Sequence, residues 1–143
     1  MYTLYYSPGA CSLAIHALLC SLEAPFKTVC INIQKGDNRT PEYLKINPRG
    51  QVPVLTGNNL HMRESTVIAV YLAEQHKSPL LPTGSARWEM EQWLNFYNAG
   101  LHAAYSTYFL MSKNLKDVAR EEACQLAAKR ISFLWREVET HLE

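Results

Sequence analysis

The hydrophobic and polar positions change rhythm several times along the chain. Tyr2, Leu4 and Tyr6 alternate with neighbours over a short run that predicts a strand, and Pro8-Gly9 ends it. From Ser12 to Cys20 apolar residues occupy nearly every side of a helical wheel, which predicts a helix that is largely buried. Ala24-Pro25 breaks that pattern, and residues 26–33, with Val29, Ile31 and Ile33 alternating, predict a second strand. Polar residues 34–41 read as a loop, and Thr40 with Pro41 and Glu42 marks the start of a short helix over 41–45. After the turn 47–51, residues 52–55 and 60–62 predict two further strands joined by a Gly57-Asn58-Asn59 hairpin turn. A Ser/Thr start signal at Ser65-Thr66 opens a helix through His76.

The resulting order, βαβ, a short helix, then ββα, describes an α/β unit with a four-stranded mixed sheet flanked by helices. Residues 79–85, rich in proline and glycine, read as a linker between a first domain at 1–78 and a second at 86–143. Beyond the linker the pattern is helical only. Residues 86–112 read as one long helix with Met90, Trp93, Tyr97, Leu101, Ala104 and Tyr108 in a stripe. A last helix from Val118, with Asp117 as its cap, carries Cys124, Ala127, Ala128, Ile131, Leu134, Trp135 and Val138. Two helices leave a wide apolar surface, so the second domain is expected to be an incomplete all-α unit, or one completed by another subunit.

Composition narrows the function classes. Among 143 residues, 14 Lys and Arg balance 13 Asp and Glu for a net charge of +1, which is no footprint for nucleic acid or an anionic membrane. No apolar run reaches the ~18 residues of a membrane span, and no secretory signal opens the chain. The four cysteines, Cys11, Cys20, Cys30 and Cys124, lack metal-ligand spacing, so no metal is expected, and reduced thiols in a cytoplasm are.

Cys11 is the first candidate for chemistry. It falls where strand passes to helix, among the unpaired amides of a first turn, where the helix dipole lowers a thiol pKa. The plainer alternative is a small apolar residue filling a gap. Pro53 inside a strand is the second signal, because proline cannot donate to a ladder. It is either an edge residue without a role or a cis bend that frees main-chain groups. Glu64-Ser65 is either a helix cap or an anion- and ammonium-binding pair. His102 and Asn95 lie seven apart on the long helix, hence on one face with Asn98 between them; a lone helical histidine is more often a structural hydrogen-bonder than a catalyst.

Taken together, Tyr6-Ser7-Pro8-Gly9-Ala10-Cys11-Ser12-Leu13, Asn47-Pro48-Arg49-Gly50-Gln51-Val52-Pro53-Val54-Leu55, Glu64-Ser65, and Trp93-Leu94-Asn95 followed by His102 resemble the bacterial beta-class glutathione transferases over the whole chain. The resemblance implies a thioredoxin-like N-terminal domain that binds glutathione, an all-helical domain for the second substrate, and a homodimer. It implies that Glu64 takes the glutathione ammonium, that Ser65 with the helix amides takes its α-carboxylate, and that Val52 beside Pro53 bonds the cysteinyl main chain. Cys11 then faces the glutathione sulfur, with His102 stabilising a thiolate and Asn95 approaching the same place. Ala103 stands where the family often has lysine, so one cation is missing. Ser12 and Tyr6 are the rival hydroxyls, Ser12 a helper to Cys11 and Tyr6 packing or contact, while Lys35 is a candidate for the glycyl carboxylate. The expected activity is conjugation of glutathione to small electrophiles in detoxification, thiol–disulfide exchange through Cys11, or both. A non-catalytic module of the same fold that binds a partner protein is the alternative, and a glutaredoxin-like reductase a third.

Overall fold

The computed structural model describes residues 1–57 and 59–143, and its chain divides into two compact units, Met1–Thr83 and Gly84–Glu143. Four strands form the sheet of the first unit: β1 (Tyr2–Tyr6), β2 (Phe26–Cys30), β3 (Val54–Gly57) and β4 (Leu60–Arg63). Their order is β2-β1-β3-β4, with β1 parallel to β2 and antiparallel to β3, and β3 antiparallel to β4. The helices of this unit are α1 (Ser12–Ser21), α2 (Pro41–Ile46) and α3 (Ser65–Gln75). This is the thioredoxin-like arrangement expected of the βαβ and ββα halves.

Strand periodicity builds two cores from one sheet. Leu4 of β1 and Leu55 of β3 point to the face where Ile15 and Leu19 of α1 meet Ile68 and Leu72 of α3. The residues next to them, Tyr5 and Val54, point to the other face and pack with Ile31, Val52 and Tyr43 of α2. Thr40 starts α2 as expected, its hydroxyl accepting from the Tyr43 N–H, with Pro41 as the first helical residue.

Several boundaries differ from those read in the sequence. Strand two stops at Cys30, and the expected loop holds two short 3-10 turns, Ile33–Lys35 and Asp37–Arg39. Strand three begins at Val54 rather than Val52, because Pro53 has no N–H for the ladder. The hairpin turn includes Asn58, which lies outside the described residues. Helix α1 buries only one stripe, Ser12, Ile15 and Leu19, whereas Leu13 is 67% exposed, so an all-round apolar sequence did not produce an all-round buried helix.

In the second unit the expected long helix is three pieces: α4 (Ser85–Asn95), a π-helical segment (Phe96–His102) and α5 (Ala103–Asn114). The last helix, α6 (Asp117–Leu142), begins one residue earlier than expected, with Asp117 as its first residue and Lys116, which makes no side-chain cap bond, in the cap position. Its buried positions Ala127, Ile131, Leu134 and Val138 recur at helical spacing, and Leu101 is buried in the π segment. Trp135 Nε1 donates to the Tyr105 hydroxyl at 3.1 Å, joining α6 to α5. Phe109, Leu110 and Leu126 stay exposed. No described helix is long and apolar enough to cross a membrane.

The turn before Pro53 depends on one glycine. Gly50 has φ +63, and a Cβ there would stand 2.6 Å from the Asn38 carbonyl oxygen. Gly50→Ala is expected to cost about 3 kcal/mol, adding a steric clash to left-handed backbone strain. Gly36→Ala, at φ +84 with nothing within 4 Å, should cost only about 1 kcal/mol. Chemical denaturation of both variants checks this, and equal losses would remove the steric argument.

Candidate functional site

Buried amides hold the turn 47–51 in place. Asn38 donates to the Gly50 carbonyl at 2.8 Å, while Asn47 and the Tyr43 hydroxyl both donate to the Gln51 carbonyl, each at 2.8 Å. Burial pushes the Tyr43 hydroxyl up to about 12, with Tyr5 adding to the effect, so it stays a neutral donor. Asn47 also accepts from the Arg49 N–H at 3.2 Å. A side-chain network replaces the sheet ladder that Pro53 interrupts, and it delivers Val52 to a fixed position with a cis Val52–Pro53 bond. Among the described residues no acceptor meets the Val52 N–H.

The loop between β1 and α1 meets that edge. Ser12 is fully buried; its hydroxyl accepts from the Ser7 N–H at 3.1 Å and donates to the Ser7 carbonyl at 3.2 Å. Ser12 therefore closes the loop, and its proton is committed to Ser7 rather than offered to a thiol. Closing the loop places the half-buried Cys11 so that its thiol donates to the Val52 carbonyl at 3.4 Å. The expectation of a lowered Cys11 pKa is reversed: burial pushes the thiol above its ordinary value, and the Glu64 carboxylate adds to the rise. The amides of Cys11 and Ser12 pull it down, as helix-end geometry requires, but less than burial raises it.

Glu64 precedes α3 with φ +72 and makes no side-chain cap bond. The expected simple cap is thus absent. Its carboxylate instead pairs with the Arg49 guanidinium, joining one nitrogen to one oxygen. The first main-chain bond of α3 runs from the Ile68 N–H to the Glu64 carbonyl at 3.0 Å, which leaves the amides of Ser65 and its successors at an open helix end. Cys11, Val52, Pro53, Glu64 and Ser65 thus belong to one rim of the sheet unit.

The remaining candidates belong to other elements or are engaged otherwise. The Tyr6 ring packs edge-on against His16 at 5.6 Å. Lys35 is exposed on a 3-10 turn that its N–H closes onto Asn32 at 3.1 Å. Asn95, at the end of α4, turns its amide back to the Glu91 carbonyl at 2.9 Å. His102, exposed, ends the π segment. Across that segment bonds run from i to i+5, so seven residues no longer make two turns, and the shared face expected for Asn95, Asn98 and His102 loses its geometric basis. Arg49 was missed because an arginine in a polar turn has no local signature; only its place opposite the α3 start reveals it.

Residues 1–74 match the family described as glutathione S-transferase, N-terminal domain. The chain is 30% identical over 146 residues to a glutathione S-transferase of Xanthomonas campestris pv. campestris, covering 98% of this chain and 70% of that protein. A glutathione S-transferase of Escherichia coli O157:H7 is 34% identical over 115 residues, or 74% of this chain and 55% of its own length. The solved structure of a glutathione transferase homologue from Sulfitobacter with bound glutathione superposes with a TM-score of 0.86 at 25% identity, covering 97% of this chain and 69% of that one. The chain therefore spans from about half to 70% of the length of these relatives.

The resting thiol gives a pH test that needs no ligand. Site-resolved alkylation of Cys11 should accelerate from about pH 7 to about pH 9 without levelling off. Glu64→Gln removes a charge that raises the pKa, so it should lower that pKa and speed alkylation severalfold at about pH 7.5. A plateau already reached near pH 7 would show that the helix end, not burial, controls the thiol.

Proposed function

Because the chain belongs to the glutathione S-transferase family, a family of transferase enzymes, we propose that its sheet unit binds glutathione and presents the tripeptide sulfur to Cys11. One observation carries this reading: the Cys11 thiol sits 3.4 Å from the carbonyl of Val52, the residue whose N–H has no acceptor among the described residues. An extended peptide bonding to Val52 as an added strand takes that edge and brings its own side chain to Cys11. Glu64 and the α3 amides supply complementary charge for an ammonium and a carboxylate.

Two reactions fit the site. In exchange, the Cys11 thiolate attacks glutathione disulfide, forming the Cys11–glutathione bond and releasing a glutathione thiolate. In conjugation, the bound glutathione thiolate displaces the leaving group of a small electrophile, with Cys11 donating a hydrogen bond to the reacting sulfur. The same reading carries beta-class membership, a homodimer and a cytoplasmic setting, supported by the Pro8-Gly9-Ala10-Cys11-Ser12 motif. For Asn95 and His102 as thiolate-stabilising partners, and for Lys35 at the glycyl carboxylate, the support is sequence resemblance alone.

The competing reading, a binding module without turnover, is favoured by the Cys11 thiol being held up rather than down. A glutathione-affinity column run beside conjugation to an aromatic halide separates the two, because retention without product supports the module. With glutathione disulfide, peptide mapping should find the mixed disulfide on Cys11, and Cys11→Ala should abolish it. An adduct confined to the exposed Cys20 or Cys30 would remove Cys11 from the chemistry.

A further inference from the structure

We propose that the helical unit carries a small aromatic cage for an organic ammonium ion, lined by Glu89, Gln92, Trp93, Phe96 and Glu137. None of these side chains takes part in the glutathione reading above. Together they enclose a cavity of about 340 Å³, within the size range of small-molecule sites. Glu89, Gln92 and Trp93 share one face of α4, Phe96 follows as the first residue of the π segment, and α6 contributes Glu137. The Trp93 and Phe96 rings meet edge to face, with centroids 5.4 Å apart and planes at 76°, and so form a corner.

The charge of this lining has one sign. Two carboxylates face the cavity and no Lys, Arg or His lines it. Among the described residues, neither the Glu89 nor the Glu137 carboxylate has a hydrogen bond or an ion pair. The unit's own basic groups stand on the other side of the same wall, where an adjoining cavity of about 500 Å³ shares Trp93 and Glu137 but adds Arg136 and His141. There His141 stacks against Trp93 at 4.1 Å, and the Arg130 and Arg136 guanidiniums lie over the Phe133 ring at 5.6 and 5.7 Å. Aromatic rings on that side already have basic partners, whereas the Trp93–Phe96 corner has carboxylates and none. A compact alkylammonium suits it: the alkyl groups cover ring surface, the ring quadrupoles attract the charge, and the carboxylates oppose it. A hard metal ion does not, because two carboxylates and one amide leave it short of oxygen ligands.

The test titrates the whole chain with choline and with 3,3-dimethylbutan-1-ol, its neutral isostere, at constant ionic strength. The readout is the indole N–H signals of Trp88, Trp93 and Trp135 by NMR, assigned with Trp93→Phe. Choline should move the Trp93 signal saturably, with an affinity about tenfold tighter than that of the alcohol. Glu89→Gln and Glu137→Gln, both at exposed positions, should each weaken choline about threefold, leaving the alcohol and the thermal unfolding unchanged. Equal affinity for the alcohol overturns the proposal, since the groove would then be apolar without recognising charge. A choline response that survives both glutamate substitutions, or one confined to Trp88 or Trp135, overturns it too. A choline midpoint that rises with protein concentration shows a second copy covering this face, and likewise removes the ammonium site.

Discussion

Everything at the candidate site depends on how the main chain around Pro53 is satisfied. A proline at the entry to a central strand removes a ladder donor, and the carbonyls before it would lie buried without partners. Three side chains from the α2 region solve this: Asn38, Tyr43 and Asn47 donate to the Gly50 and Gln51 carbonyls. All three donors are neutral, and the Tyr43 hydroxyl is pushed up to about 12, so the support does not change with pH near neutrality. Gly50 supplies the one backbone geometry that lets Asn38 approach. A rigid, uncharged frame thus presents Val52.

Charge is confined to the rim of that frame, where it can respond to a ligand. Cys11 is in tension there, with burial and Glu64 raising its pKa against the pull of its own amides and that of Ser12. Neutralising Glu64 with a ligand ammonium removes one of the two upward contributions. Under the glutathione reading, seating the headgroup relieves the smaller of these upward contributions, while burial remains the larger one. Arg49 tempers the same carboxylate in the free protein.

The sheet was legible because strand alternation and the Pro-Gly, Thr-Pro and Glu-Ser boundary signals are local and agree with one another. Cys11, Val52, Pro53, Glu64 and Ser65 were legible for the same reason, each at the edge of a predicted element. What escaped was anything set by tertiary balance. The sign of the Cys11 shift depends on burial, which no spacing displays. The one-sided burial of α1 depends on the positions of β1, β3 and α3. The commitment of Ser12 to Ser7 depends on how tightly the loop closes, and the Arg49–Glu64 pair joins residues fifteen apart in sequence across two elements.

The π segment shows why helical phase is the least secure of these inferences. Stripe arguments over residues 86–112 assume an uninterrupted 3.6-residue repeat, and a single change to i-to-i+5 bonding rotates every later position relative to every earlier one. Within the segment Gly100 lowers helix propensity, and Phe96 and Tyr97 crowd Trp93 at centroid distances of 5.4 and 5.9 Å. No rule of spacing converts that crowding into a register change, since ordinary α-helices hold similar aromatic clusters. The shared face read for Asn95 and His102 from seven-residue spacing therefore has no geometric support from that spacing. The chemistry that the structure supports from contacts is that of the sheet unit, where Cys11 touches Val52 and Glu64 touches Arg49.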